Sequence, residues 1–377
     1  MDKPATLRRQ IGLIFLSTYQ KWSGGIIYII NIVSALNLAD DDQKPEIVLI
    51  HTDEAPIEDI LSIGYPYLTL QRIDLNLTLP QRIKNKIVRI LTKKTVFLDK
   101  LPDVVYPYNH GITYGKREFF WIPDFQERYL PHMFSKDDID ARVKTHLFIA
   151  QSKGTVIFSS KNAMSDFKKF YPVHSCTLKL LRFACSLPDF SHENIEALKD
   201  KFAISKPYFM SPNQFWKHKN HFVVLEAILK LKNKGLVFEV VFTGSENDFR
   251  NKDYFLTLKE FIVSNSLQPW VKMLGFIDRT EQLALMDNAI SIIQPSFFEG
   301  WSTVVEDAKA LSQVIVLSNI AVHEEQITEN CHFFDPNNSD ELASIMEEML
   351  NSRPIRLKQD YMVSVRAFSS SILEVLQ

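Results

Sequence analysis

The sequence predicts an α/β protein: two doubly wound, Rossmann-like domains facing each other across a cleft. Three observations carry this. The chain has 377 residues, more than one hydrophobic core usually serves, so two domains are the default. Between 206 and 354, short apolar strands alternate with amphipathic helices, the pattern of a parallel sheet covered on both faces. Residues 187–205 mix turn formers and charge between two such periodic blocks, and the linker is placed there. The expected domains are therefore 1–186 and 206–354, with a tail over 355–377.

The elements follow in order. "IGLIFLS" (11–17) reads as a strand and leads into the helical stretch "GGIIYIINIVSAL" (24–36). "PEIVLIHT", "YLTLQRI", "DVVYPY", "REFFWIP" and "TVIFSS" are further strands, and "KNAMSDFKKFY" is a helix that Pro172 ends. The second half is clearer. "PYFMSP", "VFEVVFTG", "VKMLGF", "SIIQPS", "VIVLSN" and "CHFFDP" are strands. Between them lie helices "HFVVLEAILKLKN", "YFLTLKEFIVSN", "TEQLALMDNA" and "STVVEDAKALS", and "SDELASIMEEML" follows the last strand. Thr280 and Ser339 are the expected N-caps of two of them.

Composition removes several classes. A net charge of −2 does not support a nucleic-acid surface. The three cysteines, Cys176, Cys185 and Cys331, have no metal-ligand spacing and read as inert thiols of a reducing compartment. No secretory signal opens the chain, and "GGIIYIINIVSALNLA" is too short for a membrane span. A cytoplasmic protein is expected. The segment 81–94, "QRIKNKIVRILTKK", is a basic amphipathic helix with Ile83, Ile87, Ile90 and Leu91 on one face. It suits docking on the inner face of an anionic membrane; the plainer alternative is an ordinary helix with a solvated face.

Chemistry is expected at the carboxyl ends of the strands. In "QPSFFEGWST" (294–303), Gly300 lets the backbone pass close to a ligand, and the N–H groups near Ser302 and Thr303 open a helix that suits phosphate oxygens. Glu299 precedes that turn, placed to accept hydrogen bonds from a sugar hydroxyl. At about 100° per residue, Val304, Val305, Ala308 and Leu311 form the buried stripe of the following helix. Glu306 then lies nearly opposite the stripe, and Asp307 at its edge is the expected ligand-facing acid. The alternative is three surface acids favoured by a helix N-terminus. Two Asp-x-Asp runs, at 40–42 and 137–140, follow no buried strand and read as structural. No essential metal or other cofactor is expected.

The stretch resembles the signature region of retaining GT-B glycosyltransferases of family 4, which carries Glu, then Gly, then a second Glu eight positions on, followed by Ala. Here Glu299-Gly300 is followed by Asp307-Ala308, an acid shorter by one methylene. The resemblance implies that the first acid meets the donor sugar, the second the ribose, and Trp301, Ser302 and Thr303 the donor between them. "PNQFWKHKN" resembles the family loop that holds Arg and Lys five apart for the pyrophosphate: Lys219 falls on the Lys and Gln214 on the Arg, with Lys217 or His218 left to supply the missing charge. "TGSEND" (Thr243, Gly244) and "GFIDRTEQL" (Phe276, Ile277) fit the family's nucleotide loops. "STYQKWSGG" resembles its Gly-Gly loop, with Gly24 and Gly25 approaching sugar and phosphates. "FFWIPDFQ" is similar to a run in bacterial polysaccharide enzymes, putting Asp124 in the catalytic set and Gln126 on the acceptor, beside Asn109 and His110 after another strand.

The resemblance thus implies a hexosyltransferase moving a sugar from a nucleotide-diphosphate sugar, UDP or GDP, to a glycan or lipid-linked glycan of the bacterial envelope. Residues 1–186 would bind the acceptor and 206–354 the donor, with the tail returning to the first domain. Two other classes remain: a non-catalytic subunit scaffolding a glycosyltransferase, for which Gln214 and Asp307 argue, and a GT-B nucleotide-sugar epimerase.

Overall fold

The chain alternates strand and helix almost throughout. The computed structural model describes residues 8–76, 78–92, 102–108, 117–248 and 250–376. They divide into two units. Unit 1 holds 1–124, 142–186 and 362–377; unit 2 holds 125–141 and 187–361. The simple division at 187–205 is therefore corrected in two places. Residues 125–141 belong with the second unit, and 187–205 is part of that unit's body, with a helix of its own.

Unit 1 contains β1 (Gln10–Phe15), α1 (Tyr19–Asn37), β2 (Glu46–His51), α2 (Ile57–Leu61), β3 (Leu68–Arg72), α3 (Leu79–Thr92), β4 (Val104–Tyr106) and β5 (Phe119–Ile122). After α4 (Gln126–Tyr129), which lies in unit 2, come α5 (Lys136–Gln151), β6 (Thr155–Phe158), α6 (Lys161–Phe170) and β7 (Thr177–Leu180). The strands pair in parallel in the orders β3-β2-β1-β4 and β5-β6-β7. The Tyr108 N–H donates to the Phe119 carbonyl at 2.6 Å and so joins the two sheets. Helix α1 buries Ile26, Tyr28, Ile29, Ile32, Val33 and Leu36, which explains an apolar run that is nevertheless no membrane span. Among the described residues no helix is long and apolar enough to cross a membrane.

Unit 2 continues with α7 (Ile195–Lys201), β8 (Tyr208–Pro212), α8 (His221–Asn233), β9 (Glu239–Thr243), α9 (Tyr254–Ser264), β10 (Val271–Met273) and α10 (Arg279–Asn288). Then follow β11 (Ile292–Gln294), α11 (Thr303–Ala310), β12 (Ile315–Ser318), α12 (Ala321–Gln326), β13 (Cys331–Phe334) and α13 (Ser339–Asn351); α14 (Met362–Val375) belongs to unit 1. The parallel sheet runs β10-β9-β8-β11-β12-β13, the 3-2-1-4-5-6 order of a dinucleotide-type fold. Strand residues alternate between two cores. Phe209, Val240, Phe242 and Val316 pack with α8, α9 and α13. Met210, Val241, Ile315 and Leu317 pack with α7, α10 and α11. Each such side chain contributes about 1.5–3 kcal/mol by leaving water.

Two caps differ from expectation. Asp278, not Thr280, precedes α10, and the Thr280 hydroxyl donates to Glu193 instead, at 2.6 Å. Asn338, not Ser339, caps α13, accepting from the Glu341 N–H. At α13 several capping residues stand in a row, Asn337 to Asp340. Asp137 and Asp138 do stand in the first turn of α5, where the Ser135 hydroxyl accepts from the Asp138 N–H at 3.2 Å.

Candidate active site

The strand order of unit 2 reverses between β8 and β11, and open α/β sheets bind ligands where this happens. The loops leaving those two strands carry Lys219 and Glu299. The first loop is held from beneath by a glycine. A Cβ on Gly244 would stand 2.4 Å from the Asn213 carbonyl oxygen and 2.7 Å from the Gln214 Cα, and its φ is +137°. Only glycine permits that approach. The Phe215 N–H donates to the Ser245 carbonyl at 2.9 Å and the Gly244 N–H to the Gly275 carbonyl at 2.8 Å, so three successive loops are stitched together. Asn220 ends the first loop in a left-handed conformation, φ 54°. Its buried amide donates to the Pro295 carbonyl at 3.1 Å and the Pro336 carbonyl at 2.8 Å, which fixes the neighbouring Lys219.

The side chains of Lys219 and Glu299 meet. The ammonium pairs with the carboxylate at 2.5 Å, and the carboxylate side chain is only 9% exposed. The same oxygen accepts from the Ser296 hydroxyl at 2.6 Å and the Gln294 amide at 2.8 Å. Burial pushes the Glu299 carboxyl up, but the Lys219 charge, His323 and the bonds from Lys219 and Ser296 outweigh it and hold it below its usual range. His323 is fully buried, with Nδ1 2.9 Å from the Ser318 carbonyl. That contact puts the proton on Nδ1. Burial pushes the imidazole down to about 4, so it is neutral at pH 7. His218, offered as a stand-in cation, is corrected: burial, with help from Lys219 and Arg250, takes it well below its usual value, so it carries no charge. Lys217 is exposed, and its N–H donates to Asp248 at 3.0 Å.

The opening of α11 differs from the expected phosphate seat. The Ser302 N–H is occupied: it donates to the Gln326 Oε1 at 3.1 Å. The Gln326 Nε2 returns to the Ser302 carbonyl at 2.7 Å and reaches Glu306 at 2.9 Å. Glu306 does not face water. It is 1% exposed and also bonds Lys309 and the Tyr361 phenol. Asp307, equally buried, pairs with the guanidinium of Arg279. The helical wheel misplaced Glu306 because α11 is covered on more than one side.

The remaining candidates divide. Gln214 is half-buried, and its carbonyl accepts from the Trp216 N–H at 2.7 Å. Thr243 is buried at the end of β9, Phe276 is 63% exposed, and Ile277, Gly300, Trp301 and Thr303 are half-buried on the same rim of loops. Gly24 and Gly25 are corrected: they lie inside α1, not in a loop. Asp124 is half-buried just past β5 and is the last residue of unit 1 before the chain enters unit 2. Gln126 is corrected as a free acceptor contact, since it is buried within unit 2 and accepts from Arg250 at 2.9 Å. Asn109 and His110 lie outside the described residues. Sequence reasoning missed Gln294, His323, Gln326 and Arg279. Only Arg279 had a visible signal, a cation three residues past the exposed Phe276.

The family described as Glycosyl transferases group 1 matches residues 194–363, nearly all of the main body of unit 2. The chain is similar to the O-antigen chain mannosyltransferase RfbU of Salmonella typhimurium, 22% identical over 301 residues that cover 76% of this chain and 77% of that protein. Among solved structures it resembles Alr3699/HepE of Anabaena in complex with UDP-glucose, with TM-score 0.66, 16% identity and coverage of 97% and 94%. It also resembles WaaG, a glycosyltransferase involved in lipopolysaccharide biosynthesis, with TM-score 0.64, 10% identity and coverage of 98% and 99%. Residues 194–363 thus carry a region of the glycosyl transferases group 1 family, and the fold along the chain is that of GT-B glycosyltransferases.

Proposed function

We propose that the protein transfers a hexose, with retention of configuration, from a nucleoside-diphosphate sugar to a glycan or lipid-linked glycan acceptor in envelope polysaccharide synthesis. The Lys219–Glu299 pair at the strand-order reversal carries the reading. One cation and one ionised carboxylate, both nearly buried, stand where a diphosphate and a sugar hydroxyl need them. The similar HepE structures hold UDP and UDP-glucose, which favours a UDP-sugar over a GDP-sugar. The RfbU and WaaG relatives favour a lipopolysaccharide-type acceptor.

With a donor seated, Lys219 turns from Glu299 to the β-phosphate and stabilises its growing charge as the bond to the anomeric carbon breaks. Glu299 keeps its bonds from Gln294 and Ser296 and orients the sugar. Asp307, steered by Arg279, receives the ribose hydroxyls. The acceptor oxygen attacks the anomeric carbon from the face the diphosphate leaves, and its proton passes to that diphosphate. Because Lys219 supplies the counter-charge, the reading assigns no role to a metal. Asp124 remains the proposed catalytic residue from unit 1.

Helix α3 is the proposed membrane contact. Leu79, Ile83, Ile87, Ile90 and Leu91 are all more than half exposed, with Arg82, Lys84 and Lys86 exposed beside them. The deciding experiment is nucleotide release from UDP-sugars with and without lipid-linked acceptors. Release that depends on acceptor supports transfer. Glu299→Gln should abolish it in a folded protein, and Lys219→Ala should raise the barrier by about 2–4 kcal/mol. Wild-type turnover in both variants would refute the site.

A further inference from the structure

The buried carboxylate of Glu306 needs a reason. Burying an ionised group is costly unless it is paired and hydrogen-bonded, and an apolar side chain would fill the same space. Glu306 is fully served: Lys309 at 2.9 and 3.1 Å, the Gln326 Nε2 at 2.9 Å, and the Tyr361 phenol. What the carboxylate accomplishes is to fix two neighbours, Gln326 on α12 and Tyr361 just ahead of α14.

Gln326 then uses both ends of its amide on the backbone of Ser302. The Ser302 hydroxyl accepts from the Gln294 Nε2 at 3.2 Å, and the same nitrogen donates to Glu299 at 2.8 Å. Gln294 is held at its other end by the Asn213 amide, which donates to it at 2.7 Å. Direct hydrogen bonds therefore run unbroken from Tyr361 through Glu306, Gln326, Ser302 and Gln294 to Glu299. The segment 352–361, which delivers Tyr361, is itself tied down. Arg356 bonds Asp287 at 2.9 Å, Asn330 and Leu357 exchange two bonds at 2.7 and 2.8 Å, and the Gln359 N–H donates to Ser312 at 3.1 Å.

We propose that Tyr361 and Gln326 are positioning residues for transfer: through Glu306, Ser302 and Gln294 they set the carboxylate of Glu299. The inference rests on the donor reading of Glu299 given above. Loss of either residue loosens Ser302, and with it one of the contacts that orient the Gln294 amide. A small misplacement of an orienting group lowers turnover while leaving most binding contacts in place.

Tyr361→Phe removes one hydroxyl, and Gln326→Met keeps shape without donors or acceptors. Both are compared with wild type and Glu299→Gln for kcat, donor Kd, thermal midpoint and the pH profile of kcat. The expected result is a kcat lowered roughly 5–10-fold by Tyr361→Phe and roughly 30-fold or more by Gln326→Met, with donor Kd within about threefold. The acid limb of kcat should move to higher pH, because the Gln294 amide, a donor that favours the charged form of Glu299, is displaced. A kcat within about twofold of wild type in Tyr361→Phe overturns the proposal, as does a fall in kcat with an unmoved acid limb. Should Gln326→Met fail to fold, Tyr361→Phe decides alone. If Glu299→Gln is inactive while Tyr361→Phe is normal, only this inference falls; if Glu299→Gln is itself active, the donor reading falls first.

Discussion

His323 shows how much one buried side chain sets the working range of unit 2. Its imidazole is driven down to about 4 by burial, and His221 to about 3 for the same reason. In the unfolded chain both take up a proton near their ordinary value of 6.5. The folded protein refuses that proton, so the contribution is complete above pH 6.5 and drains away as pH falls toward 4. For His323 alone this amounts to about 3 kcal/mol. We expect the thermal midpoint to be flat above pH 7 and to fall steeply from 6.5 to 4.5. His323→Phe should flatten part of that slope; an unchanged slope would show that His323 is not the group responsible. Residues of this kind were the least legible in the sequence. Glu299 and Lys219 could be found because each sits in a short loop that resembles a motif of the glycosyltransferase family. Glu306 could not, since its partners Gln326 and Tyr361 come from 20 and 55 positions away. Arg279 reaches Asp307 across 28 positions, and no helical wheel contains such a neighbour.

At the scale of elements, periodicity was a good guide in unit 2, where the strands are short, mostly apolar and each followed by a helix. It was weaker in unit 1. There "GG" after β1 imitates a turn, yet the helix begins ahead of it at Tyr19, because the apolar residues beyond gain more by burial than the two glycines lose. Gly244 is the opposite case, a glycine whose position demands it. Gly244→Ala should push the 213–214 loop aside. We expect a loss of about 2 kcal/mol or more in stability, and a larger loss in UDP-sugar binding; calorimetric titration beside thermal unfolding would read both, and unchanged donor affinity would show the loop to be tolerant. Helix α3 makes its own prediction. Its exposed isoleucines and leucines, with about 1 kcal/mol for each cation near an anionic surface, should bring the protein down with phosphatidylglycerol vesicles but not with phosphatidylcholine ones. Ile83→Asp with Ile87→Asp should leave it in the supernatant, and sedimentation equal to wild type would assign the helix another purpose.

For the whole molecule, the two-domain class was readable from length and alternation, but the path of the chain was not. Residues 125–141 join unit 2 by side-chain contacts: Gln126 on Arg250, Phe134 facing the same guanidinium at 4.7 Å, and Tyr129 stacked on Phe298 at 5.5 Å. None of these pairs is adjacent in sequence. The complete transfer also makes a prediction. With the charge on the leaving diphosphate met by Lys219, turnover should persist in excess EDTA; abolition by chelation and recovery with Mg²⁺ or Mn²⁺ would require a metal that the proposed scheme leaves out.

The discontinuous make-up of the units carries a consequence for genetic exchange. The chain passes from one unit to the other after Asp124, Ala141, Ser186 and Tyr361. A crossover at a single point in the gene, joining the front of one relative to the back of another, would always leave unit 1 assembled from two parents. Under the proposed division of donor and acceptor between the units, a chimera that keeps its own sugar and borrows another acceptor must exchange three separate blocks together.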